Sequence, residues 1–221
     1  MIQPVHPFQT KEEYVYQTLR HAILRCELAP GEKLVIDRLS IEIGLSQIPV
    51  RAAIQRLQAE GLVVINPHSS ATVAPLSPDK VNEVFSLLES LERVAFRVIA
   101  QKHSLIDLTP LDPLIDQMDS ALSQNDYAAW LKTNIAFHRK IAEIAAMPLL
   151  VDFTSRVLDE WERISHFYFQ HVTSARLPQA QEEHRQILSL LRAGNAERLD
   201  ALAIHHNRAA NQAYQSMLQS R

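Results

Sequence analysis

Cysteine, glycine, basic excess and long apolar runs are all scarce in this chain, and each scarcity removes a class of protein. The single cysteine, Cys26, excludes an intramolecular disulfide framework. Its place on the apolar side of an expected helix reads as a buried thiol rather than a redox sensor. The four glycines, at 31, 44, 61 and 194, are scattered, so there is no glycine-rich loop to cradle a phosphate. No run is long and apolar enough to span a bilayer. The opening residues, MIQPVHPFQT, lack the basic segment and apolar core of a secretory signal. A cytoplasmic protein with no membrane contact is the expectation. Charge is balanced: residues 1–76 hold seven Lys/Arg against seven Asp/Glu, and the remainder fifteen against eighteen. Nucleic-acid affinity rests largely on phosphate neutralisation, so any such contact must come from local placement of a few cations.

What is present is apolar residues at helical spacing and one well-punctuated motif. The 221 residues suit two modest domains of mainly α structure. The most informative stretch is Ile36 to Gly61, IDRLSIEIGLSQIPVRAAIQRLQAEG. Leu39, Ile41 and Ile43 supply the apolar content of a first short helix. Gly44 breaks it, because glycine enters a left-handed turn without steric cost. Ser46 stands where a side-chain cap is expected, and Pro49 falls in the first turn, where its missing N–H has no partner. Val50, Ala53, Ile54 and Leu57 then recur on one face, leaving Gln47, Arg51, Gln55 and Arg56 on the other. Two short apolar segments, LVVI and ATVAPL, flank the turn-prone NPHSS. Helix, turn, donor-bearing helix and hairpin read as a winged helix-turn-helix whose second helix enters a major groove. The bland alternative is a small helical core with a polar face. The combination of glycine turn, early proline and following hairpin favours the DNA reading, with Arg38, Ser46, Gln47, Ile48, Arg51 and the wing-tip His68 as contact candidates.

The run GLSQIPVRAAIQRLQAEGLV resembles the GntR family of bacterial transcription regulators. Gly44, Ser46, Pro49, Val50, Arg51, Ala53, Leu57, Glu60, Gly61, Leu62 and Val63 match its pattern. Gln47 stands where the family has arginine, Ala52 where it has glutamate, and Ser69 and Ser70 replace a common Arg-Gly pair. These departures bear on the operator sequence rather than on the family.

Before this motif, Thr10 and Glu13 form a capping-box pattern. Val15, Leu19, Ala22, Ile23 and Cys26 stripe a helix reaching about Leu28. After it, Pro75-Leu76-Ser77-Pro78 is the expected boundary between residues 1–76, the reader, and 77–221, a helical bundle. Ser77 caps a helix with Pro78 at its first position. Val81, Val84, Leu87, Leu88, Leu91 and Val94 stripe that helix to about Lys102. Five more follow: Thr109 to Ser123, one capped by Asp126, Pro148 to about Val172, one begun by Pro178 and stopped by Gly194, and one running to the C-terminus. Six such helices with short links make a bundle. The segments NIAFHRKIAEIAAMPLL and EEHRQILSLLRAGNAERLDALAIHH resemble the FCD effector domain of the FadR-type branch of the same family.

Within the bundle, Asn134 and His138 are four apart and share a face with Ile141 and Ala145. His184 precedes Ile187, Leu188 and Leu191. His206 follows Leu199 and Leu202. A lone histidine on an apolar face is ordinarily a satisfied core residue. Three in matching inward phase, at positions that match the family's metal site, point instead to a divalent metal held by Asn134, His138, His184 and His206, with zinc or nickel preferred by imidazole ligands. Asparagine replaces the family's aspartate, and His205 remains an alternative to His206. A metal-free pocket whose histidines bind an anionic effector is the competing outcome. Leu88 stands where the family often has an effector-binding arginine, which weakens the expectation of a carboxylate effector, and Arg93 and Arg97 fit a solvated face. Trp130, Trp161, Phe167 and Tyr168 read as core or interface.

The resemblance implies a homodimeric regulator, by default a repressor, that binds a double-stranded DNA operator under the control of a small-molecule metabolite. A metal-dependent helical-bundle enzyme is the main rival, but the sequence has neither the E-x-x-H pairs of a di-iron bundle nor H-E-x-x-H. A winged helix that binds protein is the second rival, and the neutral charge suits it.

Overall fold

The computed structural model describes residues 10–65, 71–168 and 176–219 and divides into two compact units, Met1–Leu76 and Ser77–Arg221. In the first unit, α1 (Lys11–Leu24) is followed by β1 (Lys33–Leu34), α2 (Ile36–Ile43), α3 (Gln47–Ala59), β2 (Val63–Ile65) and β3 (Ala71–Val73). Thr10 Oγ1 accepts from the Glu13 amide at 3.1 Å, which starts α1. The helix stops earlier than its stripe suggests. Cys26 lies beyond its end with φ 57° and is only partly buried, so the thiol is a turn residue rather than a core one.

The strands form one antiparallel sheet in the order β1-β3-β2, with Val63 opposite Val73, Val64 opposite Thr72 and Ile65 opposite Ala71. Strand β1, which pairs Lys33 with Thr72, was not apparent from sequence because two residues are too few to show a period. Gly44 ends α2 with φ 75°, as its position predicts. Ser46 has the extended backbone of an N-cap, but its side chain makes no capping hydrogen bond. Ile41 also departs from expectation: it is 82% exposed, while Leu39 and Ser40 are the buried residues of α2. Val50, Ala53, Ile54 and Leu57 seat α3 on a core with Val15, Leu19 and Ile23 of α1.

The second unit is all helical: α4 (Pro78–Gln101), α5 (Asp112–Ser123), α6 (Tyr127–Ile144), α7 (Pro148–Tyr168), α8 (Leu177–Arg192) and α9 (Ala196–Gln219). A one-turn 3-10 segment, Thr109–Leu111, precedes α5. Ser77 and Asp126 cap α4 and α6 by accepting from Lys80 and Ala129 amides. Helix α4 packs along α9 and against α7, and α5 sits between α6 and α8. The buried stripe of α4 is rotated from the expected one. Leu87 and Val94 face outward, while Phe85, Leu88, Glu92, Ala95, Phe96 and Ile99 face in. That rotation brings a carboxylate, Glu92, into the interior.

Candidate functional site

Helices α6, α8 and α9 bring His138, His184 and His206 together. One ring nitrogen from each lies within 4.8 Å of the others, and all three residues are buried. Ring centroids are 4.9 Å apart for His184 and His206, and 5.3 Å for His138 and His184. Each ring has its Nδ1 facing an oxygen. His138 Nδ1 lies against Glu92 Oε1 of α4. His206 Nδ1 is 2.6 Å from Glu183 Oε2. His184 Nδ1 is 3.3 Å from Gln181 Oε1. The Gln181 amide is oriented by its nitrogen, which donates to Asp119 at 2.6 Å and to the Ile115 carbonyl at 3.2 Å. Its oxygen is therefore the atom left to accept from His184. At His184 and His206 the oxygen holds the proton on Nδ1 and leaves Nε2 as a lone pair, the tautomer of a metal-binding histidine, whereas His138 Nδ1 is close to Glu92 Oε1 without an aligned hydrogen bond.

Burial costs a polar atom free energy unless something pairs with it. Among the described residues, both ring nitrogens of His138, Nε2 of His184, Oδ1 of Asn134 and Oε1 of Glu92 are buried with no hydrogen-bond partner. Electrostatics match this arrangement. Burial, reinforced by the neighbouring histidines, pushes the His184 imidazolium well below the usual range. Burial likewise pulls His206 down, although Glu183 opposes it. Burial alone raises a carboxyl, but His206 and Arg176 outweigh that effect at Glu183 and hold it at about 2. At Glu92 burial is likewise overcome, by His138, His206 and Asn207, and the group stays low. Burial that disfavours the charged form of His184 and His206, with low-pKa carboxylates at Glu92 and Glu183 behind the cluster, makes a donor set suited to a cation.

Beside the cluster is a cavity of about 100 Å³, lined by Asn134, His206, Trp130, Trp161, Tyr214 and Arg176 among others. The two tryptophans are buried as expected, yet they also form the wall of this cavity. Phe167, by contrast, is 39% exposed. His205 points outward, with its side chain 60% exposed. Leu88 is buried, and Arg93 makes a two-pronged contact with Asp200 at 2.8 and 2.9 Å.

In the first unit, Ser46, Gln47, Ile48 and Arg51 lie exposed at the start of α3, with Ile48 79% exposed. Gln47 donates to Asp37 at 2.6 Å and accepts from Arg51 at 3.2 Å. Arg38 is exposed on α2 and bonded to Glu42 at 2.8 Å. Arg56 leaves the contact face: its Nη1 is 2.6 Å from Glu13 and its Cζ lies 3.6 Å over the Tyr16 ring. His68 lies outside the described residues.

The family of bacterial regulatory proteins called gntR matches residues 11–73, and the FCD domain family matches residues 83–209. The chain is a GntR-family regulator with an FCD domain. The HTH-type transcriptional regulator McbR of Escherichia coli is 24% identical over 186 residues, 83% of each chain. The repressor RspR of the same organism is 23% identical over 202 residues, 91% of this chain and 88% of that one. Two solved structures share the fold. Escherichia coli McbR superposes with a TM-score of 0.76 at 21% identity over 95% of this chain and 99% of that one. A putative GntR regulator from Rhodococcus sp. RHA1 does so at 0.77 and 19% identity, over 93% and 98%. This GntR regulator is therefore a DNA-binding transcription regulator with a C-terminal effector domain, and no described helix is long and apolar enough to cross a membrane.

Sequence inspection missed Glu92, Gln181, Glu183 and Arg176. A carboxylate in the apolar stripe of α4 was a readable signal for Glu92, and Glu183 shares the inward face of α8 with His184. Arg176 precedes α8 in a polar stretch and has no such signal.

Proposed function

We infer that the helical unit holds one divalent metal on His138, His184 and His206, with Asn134 Oδ1 as a further oxygen donor. The observation that carries this is the set of three buried histidines, each offering one ring nitrogen within 4.8 Å of the other two. Imidazole donors favour zinc or nickel. When bound, the metal supplies a Lewis-acid centre facing the cavity. Glu183 and Gln181 keep their rings in the ligating tautomer and orientation, Glu92 stands behind His138, and the tryptophans exclude water. No catalytic base is assigned, because the role is sensory.

At the other unit, Arg51 is the main base reader. Gln47 has both ends of its amide engaged and so positions Arg51. Ile48 offers a side chain to a thymine methyl. Ser46 and Arg38 contact the phosphate backbone, and His68 is assigned to the wing on its sequence position alone. The working species is a homodimer, which reads a two-fold operator that a single head is too small to specify. Leu87 and Val94 on α4, and Leu149 and Phe153 on α7, leave apolar side chains outward and support pairing through the helical unit. Effector binding shifts the spacing of the two heads, with repression as the ground state, in the cytoplasm beside the chromosome.

The test pairs elemental analysis of untagged protein with a gel shift on promoter-proximal DNA under excess competitor. The expected result is roughly one metal per chain and a sequence-preferring complex. Asn134→Asp should tighten metal binding. A wild type without metal that gains no thermal stability from zinc, nickel or manganese overturns the ligand assignment. Binding no better than competitor overturns the operator assignment.

A further inference from the structure

Among the described residues, Arg176 is the one guanidinium that lines the cavity. It stands at the N-cap of α8, and only 12% of its side chain is exposed. Nη2 is 2.5 Å from Glu183 Oε2, the same oxygen that accepts from His206 Nδ1. The other two nitrogens, Nε and Nη1, are buried and have no hydrogen-bond partner among the described residues. A guanidinium rarely goes unsatisfied, because each buried, unpaired donor costs free energy. The rest of the wall is mostly aromatic and aliphatic: Trp130, Leu131, Trp161 and Tyr214 face the same space.

Charge narrows the occupant. Glu92 and Glu183 bring two buried negative charges and Arg176 one positive. With the histidines as neutral ligands, a bound dication leaves the cluster with a single excess positive charge. A monoanion closes that balance, whereas a dianion overshoots it inside a low-dielectric wall. A neutral ligand leaves the charge uncompensated.

We propose that Arg176 is the residue that selects the effector, and that the effector is a small monocarboxylate with an apolar body, its carboxylate accepting from the donors that Glu183 leaves free. This deepens the effector-site reading and rests on it for the location and, through the bound dication, for the charge count. The position on α4 that the family resemblance marks for an effector-binding arginine is Leu88, buried here. The cation comes instead from the start of α8. Because Arg176 and His206 share one oxygen of Glu183, a carboxylate that draws the guanidinium toward the cavity also alters the hold on a candidate metal ligand. Effector binding and metal binding are thereby coupled through a single side chain.

The experiment titrates full-length, metal-loaded protein with isovalerate and benzoate, each against its primary amide, and with succinate, read by calorimetry and thermal shift. Wild type should bind the monocarboxylates and raise its Tm, and should bind the amides and succinate roughly ten-fold more weakly or worse. Arg176→Gln should lose that discrimination while keeping its metal, and Arg176→Lys should keep part of it. Metal content and helical circular dichroism show that each variant is folded. Carboxylate affinity unchanged in both variants overturns the proposal, as does equal affinity for acid and amide, or no binding of either acid. Binding that survives Arg176→Gln but is lost in His138→Ala/His184→Ala assigns the carboxylate to the metal: the proposal fails and the metal reading stands. Arg176-dependent binding in a protein that takes up no metal does the reverse: Arg176 stands as the selecting residue, and the metal reading fails together with the charge count built on it.

Discussion

The two units handle polar side chains in opposite ways. In the winged unit, Ser40 is the only polar side chain in the buried class among the described residues, and its hydroxyl donates to the Ile36 carbonyl at 2.7 Å. Every other polar group described there stays at or near the surface. In the helical unit, Glu92, Asn134, His138, Gln181, Glu183, His184, His206 and Asn207 are all buried. An apolar core with a polar exterior suits a unit that must offer donors to a groove. A polar core is costly on its own and makes sense where a ligand completes it. The location of the polar atoms thus separates a unit that works by its outside from one that works by its inside.

The most drastic way to break that contrast is to remove the interior donors. His138→Ala/His184→Ala should lose its metal and destabilise the protein by about 2–5 kcal/mol, since two cavities form and Glu92 is left without its histidine. Elemental analysis and denaturant unfolding measure both. A variant as stable as wild type would mean that the polar core is ordinary packing.

Acid should act on the same unit next. His184 and His206 have folded values below their unfolded ones, so their stabilising effect is present above the usual histidine range and fades as pH falls through it. Glu183 is also depressed, to about 2, so its share is present above its unfolded value and is lost as pH falls toward 2. That share is up to ~3 kcal/mol. Metal-stripped protein melted from pH 8 to pH 3 should weaken in that order, whereas Glu183→Gln should flatten the lower step. A stability maximum at acid pH contradicts the assignment.

The smallest effect sharpens the exterior side. Arg51→Ala should cost about 1–3 kcal/mol of operator binding with little change in stability. Arg56→Ala should do the opposite. Its side chain ties α3 to α1 through Glu13 and Tyr16, so stability should fall by about 1 kcal/mol while sequence preference is kept. Anisotropy titrations and thermal melts on both variants distinguish the roles. Equal losses of operator affinity would return Arg56 to the contact face.

Much of this was legible in the chain itself. Gly44, Pro49, Ser77, Asp126 and Gly194 punctuate the helices by local steric and capping rules that need no neighbours. The inward phase of His138, His184 and His206 follows from helical spacing. Where periodicity failed, the cause was long range. Ile41 looks like a core residue in an eight-residue helix, but its face meets no packing partner among the described residues and is left exposed. Leu87 and Val94 satisfy the α4 stripe as well as Phe85 and Glu92 do, and only the positions of α7 and α9 decide between them.

The sequence by itself determined which segments are helices, where the two units divide their patterns, and that three imidazoles point into one bundle. Those properties are set within a few residues of each side chain. Tertiary structure alone decided that Glu92 and Glu183 stand behind two of those imidazoles, that Arg56 is spent on α1, and that Arg176 faces a cavity with donors to spare. Glu92 with His138, Glu183 with His206 and Arg56 with Glu13 each pair residues from different helices, up to 46 positions apart at Glu92 and His138, and no local pattern encodes which distant oxygen will meet which nitrogen.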